Sequence, residues 1–136
     1  MRIMTYNVRG LGGKVKRRVI RQLIQKEEVD VVCIQESKMA KLDRRVGREL
    51  WGDCEVEWRE VEAINNAGGV LTLWGKRKFK VNDQVLGNNF VGIKGTWKEE
   101  TEEMVIVNMY SLCNIVGKKA MWRELIDLKM RSGDGI

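Results

Sequence analysis

Side chains capable of chemistry stand at the ends of apolar runs in this 136-residue chain. Val31, Val32, Cys33 and Ile34 form an unbroken apolar stretch of the kind that fills a strand covered on both faces, and Gln35, Glu36 and Ser37 follow at once. A carboxylate at the tip of a buried strand has two readings. It is either a solvated or helix-capping side chain, or an oxygen ligand for a hard cation such as Mg²⁺, which one or two carboxylates hold while waters and substrate phosphates complete the shell. Asn7 ends the earlier segment "RIMTYNV" in the same manner, as a turn-former through its side-chain oxygen or as a second oxygen donor. Tyr110 closes "VIVNMY" with a hydroxyl, which at a strand end is either a surface phenol or a partner for the other two groups.

What is absent narrows the chemistry. The sequence has no His, the usual general base near neutral pH and a common metal ligand, so a His-based triad or zinc site is excluded. Cys33, Cys54 and Cys113 form no C-x-x-C pair and, with no apolar leader, fit a reducing compartment and a role as small core residues. Gly10, Gly12 and Gly13 have the spacing G-x-G-G, which is neither a dinucleotide fingerprint nor a phosphate loop of the Walker type. No stretch reaches the length of a membrane span, and the expectation is a soluble intracellular protein.

The elements that must position these groups follow from periodicity. A strand, a Gly-rich turn, a basic helix over 14–27 and the buried strand at 30–35 make a strand-helix-strand unit, whose two strands are expected to run parallel. Both C-terminal strand ends then lie on one edge of the sheet, where open α/β sheets bind ligands, and they carry Asn7 and Glu36. In the helix, Val15, Val19, Ile20, Leu23 and Ile24 fall on the predicted apolar face, and Lys14, Arg17, Arg18 and Arg21 opposite them. A helical stretch around 42–50 precedes five strands whose rhythm suggests an antiparallel meander. The tail starts as a helix with Met121, Leu125 and Leu128 on one stripe and ends in the turn residues of "RSGDGI". With no Pro, no linker and no repeat, residues 1–136 read as a single domain.

Charge is uneven along this domain. Residues 1–50 hold 13 Lys or Arg against 6 Asp or Glu, a net +7, and the remaining 86 residues sum to −1. Such a bias suits a polyanion, although a solvated helix face accounts for it equally.

In order and spacing, "MTYNVRGLGG", "KRRVIRQLIQKEEVDVVCIQESK", "NNAGGVLTLW", "VIVNMYS" and "GKKAMWRELIDLK" resemble the endonuclease/exonuclease/phosphatase superfamily. The nearest likeness is to the N-terminal endonuclease-like domain of plant non-LTR (LINE-type) retrotransposons. The resemblance implies an α/β sandwich of two packed, mostly antiparallel sheets flanked by helices. It also implies Mg²⁺- or Mn²⁺-dependent phosphodiester hydrolysis with DNA as substrate, in a nuclear setting if retroelement function is retained. Residue by residue, it makes Glu36 the principal metal ligand, Asn7 its companion at the metal and Tyr110 the side chain facing the scissile phosphate. Lys38 lies near the site, and Arg9, where several relatives carry an acid, becomes a phosphate contact. Tyr6 stands where many relatives have Trp, and Leu112 replaces the Pro of the tyrosine motif.

The same resemblance implies an incomplete domain. The G-D-x-N and S-D-H motifs that orient the attacking water and supply the base are not found; "GDG" at Gly133 to Gly135 has no following Asn. The expectation is a fragment, truncated at its C-terminus and inactive alone. Two other readings stay open: a non-catalytic nucleic-acid or protein-binding module using helix 14–27, and a lipid or inositol phosphatase of the same superfamily.

Overall fold

A computed structural model describes residues 2–65, 67–98 and 103–110. The expected tail helix with Met121, Leu125 and Leu128, together with Leu112, Cys113 and the "GDG" segment, lies outside the described residues. The order is β1 (Ile3–Asn7), α1 (Lys14–Lys26), β2 (Val31–Gln35), α2 (Arg44–Trp51), β3 (Val56–Val61), β4 (Val70–Gly75), β5 (Phe79–Leu86), β6 (Phe90–Trp97) and β7 (Glu103–Met109).

Strands β1 and β2 pair in parallel across the α1 crossover, from Ile3 opposite Val31 to Asn7 opposite Gln35. The five later strands are present but do not form one meander. β4 inserts antiparallel beside β2 and takes β3 on its far side, giving the order β1-β2-β4-β3, while β5-β6-β7 form a separate antiparallel sheet. The division has a packing cause. Val70, Leu71, Leu73 and Trp74 are all buried, so β4 needs cover on both faces and an interior place, whereas β5 leaves most of its residues to solvent and suits an edge.

Alternation along β2 and β4 then builds two cores. Val32, Ile34, Leu71 and Leu73 face the helices and meet Ile20, Ile24, Val46 and Leu50. Val31, Cys33, Val70 and Trp74 face the second sheet and meet Phe79, Val91, Ile93 and Ile106. The result is a helix layer on a four-stranded sheet on a three-stranded sheet, the α/β sandwich implied by the resemblance. Among the described residues no helix is long and apolar enough to cross a membrane.

Helix α1 is turned from its expected setting. Its buried residues are Arg17, Ile20 and Ile24, while Val15 is 74% and Val19 42% exposed. Arg17 therefore belongs to the inner face rather than the basic outer one. Its Nη1 donates to the Leu11 and Gly12 carbonyls at 3.5 and 3.3 Å, and its Nε stands 3.6 Å from Glu49 Oε2 on α2 without a hydrogen bond of its own. The loop carbonyls need a donor, and the long Arg17 side chain brings one to them from the helix.

Helix α2 is closed at both ends. Asp43 accepts from Val46 N–H at 2.8 Å, and Gly52 at φ 104° ends the helix in the left-handed region. Cys33 is buried as expected, and burial pushes its thiol up to about 11 against a weaker opposing hydrogen bond with Thr72. Cys54, by contrast, is exposed, because it lies in the turn after α2 and not in a strand.

Candidate functional site

Parallel pairing brings the ends of β1 and β2 to one edge, so Asn7 faces Gln35 and Glu36 is the next residue out. Beyond the strands the two chains stay joined. Val8 N–H donates to Gln35 O, Gly10 N–H to Glu36 O and Leu11 N–H to Ser37 O, at 2.7 to 3.1 Å. On the other flank, Ser37 N–H donates to Gly69 O at 3.2 Å and Lys38 N–H to Gly68 O at 2.8 Å. Residues 36–38 are thus clasped between two backbones.

The clasp imposes an unusual conformation. Arg9, Glu36 and Lys38 have φ of 51°, 54° and 53°, in the left-handed region that side chains disfavour by roughly 1–2 kcal/mol each. Gly69, at φ 92°, closes the clasp from the β4 side, and a Cβ there would run into Ser37 Oγ. Ser37 itself is buried. Lys16 on α1 supports the β1 end by donating to the Val8 and Arg9 carbonyls at 2.5 and 3.3 Å.

Tyr110 reaches the same point from the other sheet. Its hydroxyl donates to Glu36 Oε1 at 3.0 Å, so a group at the end of β7 touches the carboxylate at the end of β2. Both side chains are half-buried, whereas Asn7, Arg9 and Lys38 are exposed. Asn7 and Tyr110 also line one cavity of about 760 Å³ beneath β1, shared with Ile3, Thr5, Cys33 and Gln35. Glu36, Tyr110 and Asn7 are therefore gathered at one edge. Arg9 and Lys38 stand on the flanking loops.

The oxygens on offer are the Glu36 carboxylate and the Asn7 amide. Hard donors of that kind suit Mg²⁺ or Mn²⁺ and not a soft metal. Among the described residues no group of three His, Cys, Asp or Glu is placed to hold a metal. One carboxylate and one amide begin such a site without completing it.

Two further residues were not legible as part of the site. Gln35 Nε2 donates to Asn108 Oδ1 at 2.7 Å and to Thr5 Oγ1 at 3.0 Å. Asn108 Nδ2 donates in turn to Leu71 O, Thr72 Oγ1 and Ile34 O at 3.0 to 3.2 Å. A signal existed in period-two alternation, which sets Asn108 on one face with buried Ile106. A polar residue in an inward register needs partners, which points to a network.

Known proteins can be set beside this geometry. The family described as Endonuclease/Exonuclease/phosphatase matches residues 4–131. No curated protein matches the chain. The AP endonuclease LMAP from Leishmania major is 18% identical with a TM-score of 0.59, over 94% of this chain and 46% of that one. The Xenopus laevis APE2 catalytic domain is 12% identical with a TM-score of 0.62, over 93% and 50%. D. rerio TDP2 complexed with single strand DNA product is 15% identical with a TM-score of 0.59, over 96% and 54%. At these identities the likeness is one of fold. The chain spans about half the length of each.

Proposed function

Because this chain belongs to the endonuclease/exonuclease/phosphatase family, we propose that its strand-end site is one part of a divalent-cation-dependent phosphodiesterase centre for DNA, of the retroelement endonuclease type. The observation that carries the reading is the 3.0 Å hydrogen bond from the Tyr110 hydroxyl to Glu36, which joins two sheets at the edge that also bears Asn7. A strained, clasped carboxylate beside a phenol and an amide is a poor arrangement for stability and a good one for holding a cation and a phosphate.

In this reading the Glu36 carboxylate and the Asn7 amide oxygen hold Mg²⁺ or Mn²⁺. When bound, the cation neutralises charge that builds on a phosphoryl group in transfer. Tyr110 orients the carboxylate and can donate to a phosphate oxygen. Arg9 and Lys38, on loops flanking the edge, supply positive charge for the rest of a DNA backbone. DNA is supported by the company of an AP endonuclease and a TDP2–DNA complex among similar folds.

The chain's own residues stop short of a full catalytic set. The sequence has no His, and among the described residues Glu36 is the one carboxylate placed with Asn7 and Tyr110 at the edge, so no second acid or base stands there to take a proton from an attacking water. We therefore propose that it binds cation and DNA but hydrolyses DNA at most feebly by itself. Fluorescence anisotropy with a short DNA duplex, with and without Mg²⁺, tests the binding; a supercoiled-plasmid nicking assay tests the chemistry. The expectation is cation-enhanced binding that Glu36→Ala abolishes, with little nicking. Binding indifferent to Mg²⁺ and to Glu36→Ala, yet lost when Arg18 and Arg21 are neutralised, would instead establish a binding module built on α1. Robust nicking that vanishes in Glu36→Ala would overturn the claim of feeble activity.

A further inference from the structure

Two amides with no part in the proposed chemistry close the space behind Glu36 and Tyr110. Gln35 immediately precedes Glu36 on β2, and Asn108 stands two residues before Tyr110 on β7. Asn108 is 2% exposed, so its amide must find all its partners within the protein. It finds them in the opposite sheet. Its Oδ1 accepts from Gln35 Nε2 at 2.7 Å, and its Nδ2 enters the β2–β4 ladder at the paired residues Ile34 and Leu71. Gln35 extends the connection to Thr5 on β1. One amide pair thus ties three strands of the larger sheet to the last strand of the smaller one.

Elsewhere the two sheets meet through apolar side chains such as Val31, Trp74, Phe79 and Ile93, and at the far side through an exposed hydrogen bond from Arg59 on β3 to Gln84 on β5. Apolar contact is non-directional and lets one sheet shift over another at little cost, whereas a hydrogen bond is selective in length and angle. We infer that Gln35 and Asn108 are positioning residues, whose mutual hydrogen bond fixes the inter-sheet register at which the Tyr110 hydroxyl meets the Glu36 carboxylate. The proposed phosphodiesterase reading gives that register its purpose, but the register can be tested without it.

The chain has two tyrosines, Tyr6 and Tyr110, so ¹³Cζ-tyrosine NMR of the full chain gives two signals, which Tyr6→Phe assigns. Glu36→Ala marks the position of the Tyr110 signal when its acceptor is gone. Asn108→Ala empties a buried site and risks unfolding, so the primary variant is Gln35→Met, on the wall of the open cavity. In Gln35→Met, with cooperative unfolding retained, the Tyr110 signal is expected to move to its Glu36→Ala position. Thr72→Val removes one acceptor of Asn108 but spares the Gln35 contact, and is expected to lower the melting temperature while leaving the signal at its wild-type position. A signal that stays put in folded Gln35→Met, or moves equally in Thr72→Val, overturns the inference. The two readings fail separately: this measurement needs no cation, while a wild-type chain that binds no Mn²⁺ in a calorimetric titration would remove the phosphodiesterase reading alone.

Discussion

Glu36 is constrained twice over, by its left-handed backbone and by the Tyr110 hydroxyl. Removing that hydroxyl should cost the fold little, since a half-exposed hydrogen bond contributes roughly 1 kcal/mol, and should cost the site more, since the carboxylate then turns freely. Tyr110→Phe is therefore expected to leave the melting temperature nearly unchanged while weakening Mn²⁺ affinity about tenfold, a magnitude typical of a lost supporting contact, read by calorimetric titration. Cys33 gives a pH prediction. Its pKa in the folded chain, about 11, stands above the ordinary 9.0 of an unfolded thiol. The neutral thiol is thus favoured by folding, and its contribution is complete below pH 9 and lost as the pH rises toward 11. Urea unfolding at both ends of that window should show wild type losing about 2 to 3 kcal/mol more than Cys33→Ala. The place of Glu36 at a strand end was legible in sequence because the apolar run ends at Ile34, two residues before it. Asn108 was legible only as a polar residue in an inward register, and its pairing with Gln35 was not legible, because alternation names a face and not a cross-sheet partner.

At the scale of elements, the close approach at Gly69 and the buried Arg17 are the places to press. A Cβ on Gly69 would meet Ser37 Oγ and would also sit at a positive φ, while one on Gly12 would meet nothing within 4 Å. Gly69→Ala should therefore lower stability by about 3 kcal/mol or more in chemical denaturation, and Gly12→Ala by well under 1. On α1, Arg17→Ala should cost about 2 kcal/mol through lost packing and two abandoned carbonyls, while Arg18→Ala stays within about 0.5. Neutralising Arg18 should shallow the salt dependence of DNA binding, and the buried Arg17 should contribute nothing to it. Helix α1 and its two parallel strands were readable from spacing alone. Its rotation was not, because Val15, Val19, Ile20, Leu23 and Ile24 span too wide an arc to name one inner face. Strand periodicity likewise revealed five strands but not that β3 and β4 join β2, since alternation specifies a face and not a neighbour.

In the molecule as a whole, four strands lie over three among the described residues, and the cavity that Asn7 and Tyr110 share is lined by β1 and β7. Among the described residues β1 and β7 are both edge strands. Ile3 is 51% exposed on β1, and Val15 and Val19 lie bare on the helix layer of the same molecule. Apolar surface next to an open strand edge favours association with further chain. Light scattering should accordingly show association that grows with protein concentration and recedes in an Ile3→Lys, Val19→Lys variant. The overall class was legible because it depends only on element order and apolar content. The division into four strands and three was not, because alternation along a strand does not say which sheet the strand joins. Those two strand edges also have a signature in time. Along an edge strand every second amide points away from its only neighbour, so hydrogen exchange through β1 and β7 should alternate residue by residue. One set should exchange as fast as an open loop and the other only when the sheets come apart. A comb of fast and slow amides would mark β1 and β7 as edges of the folded protein without any ligand bound to it.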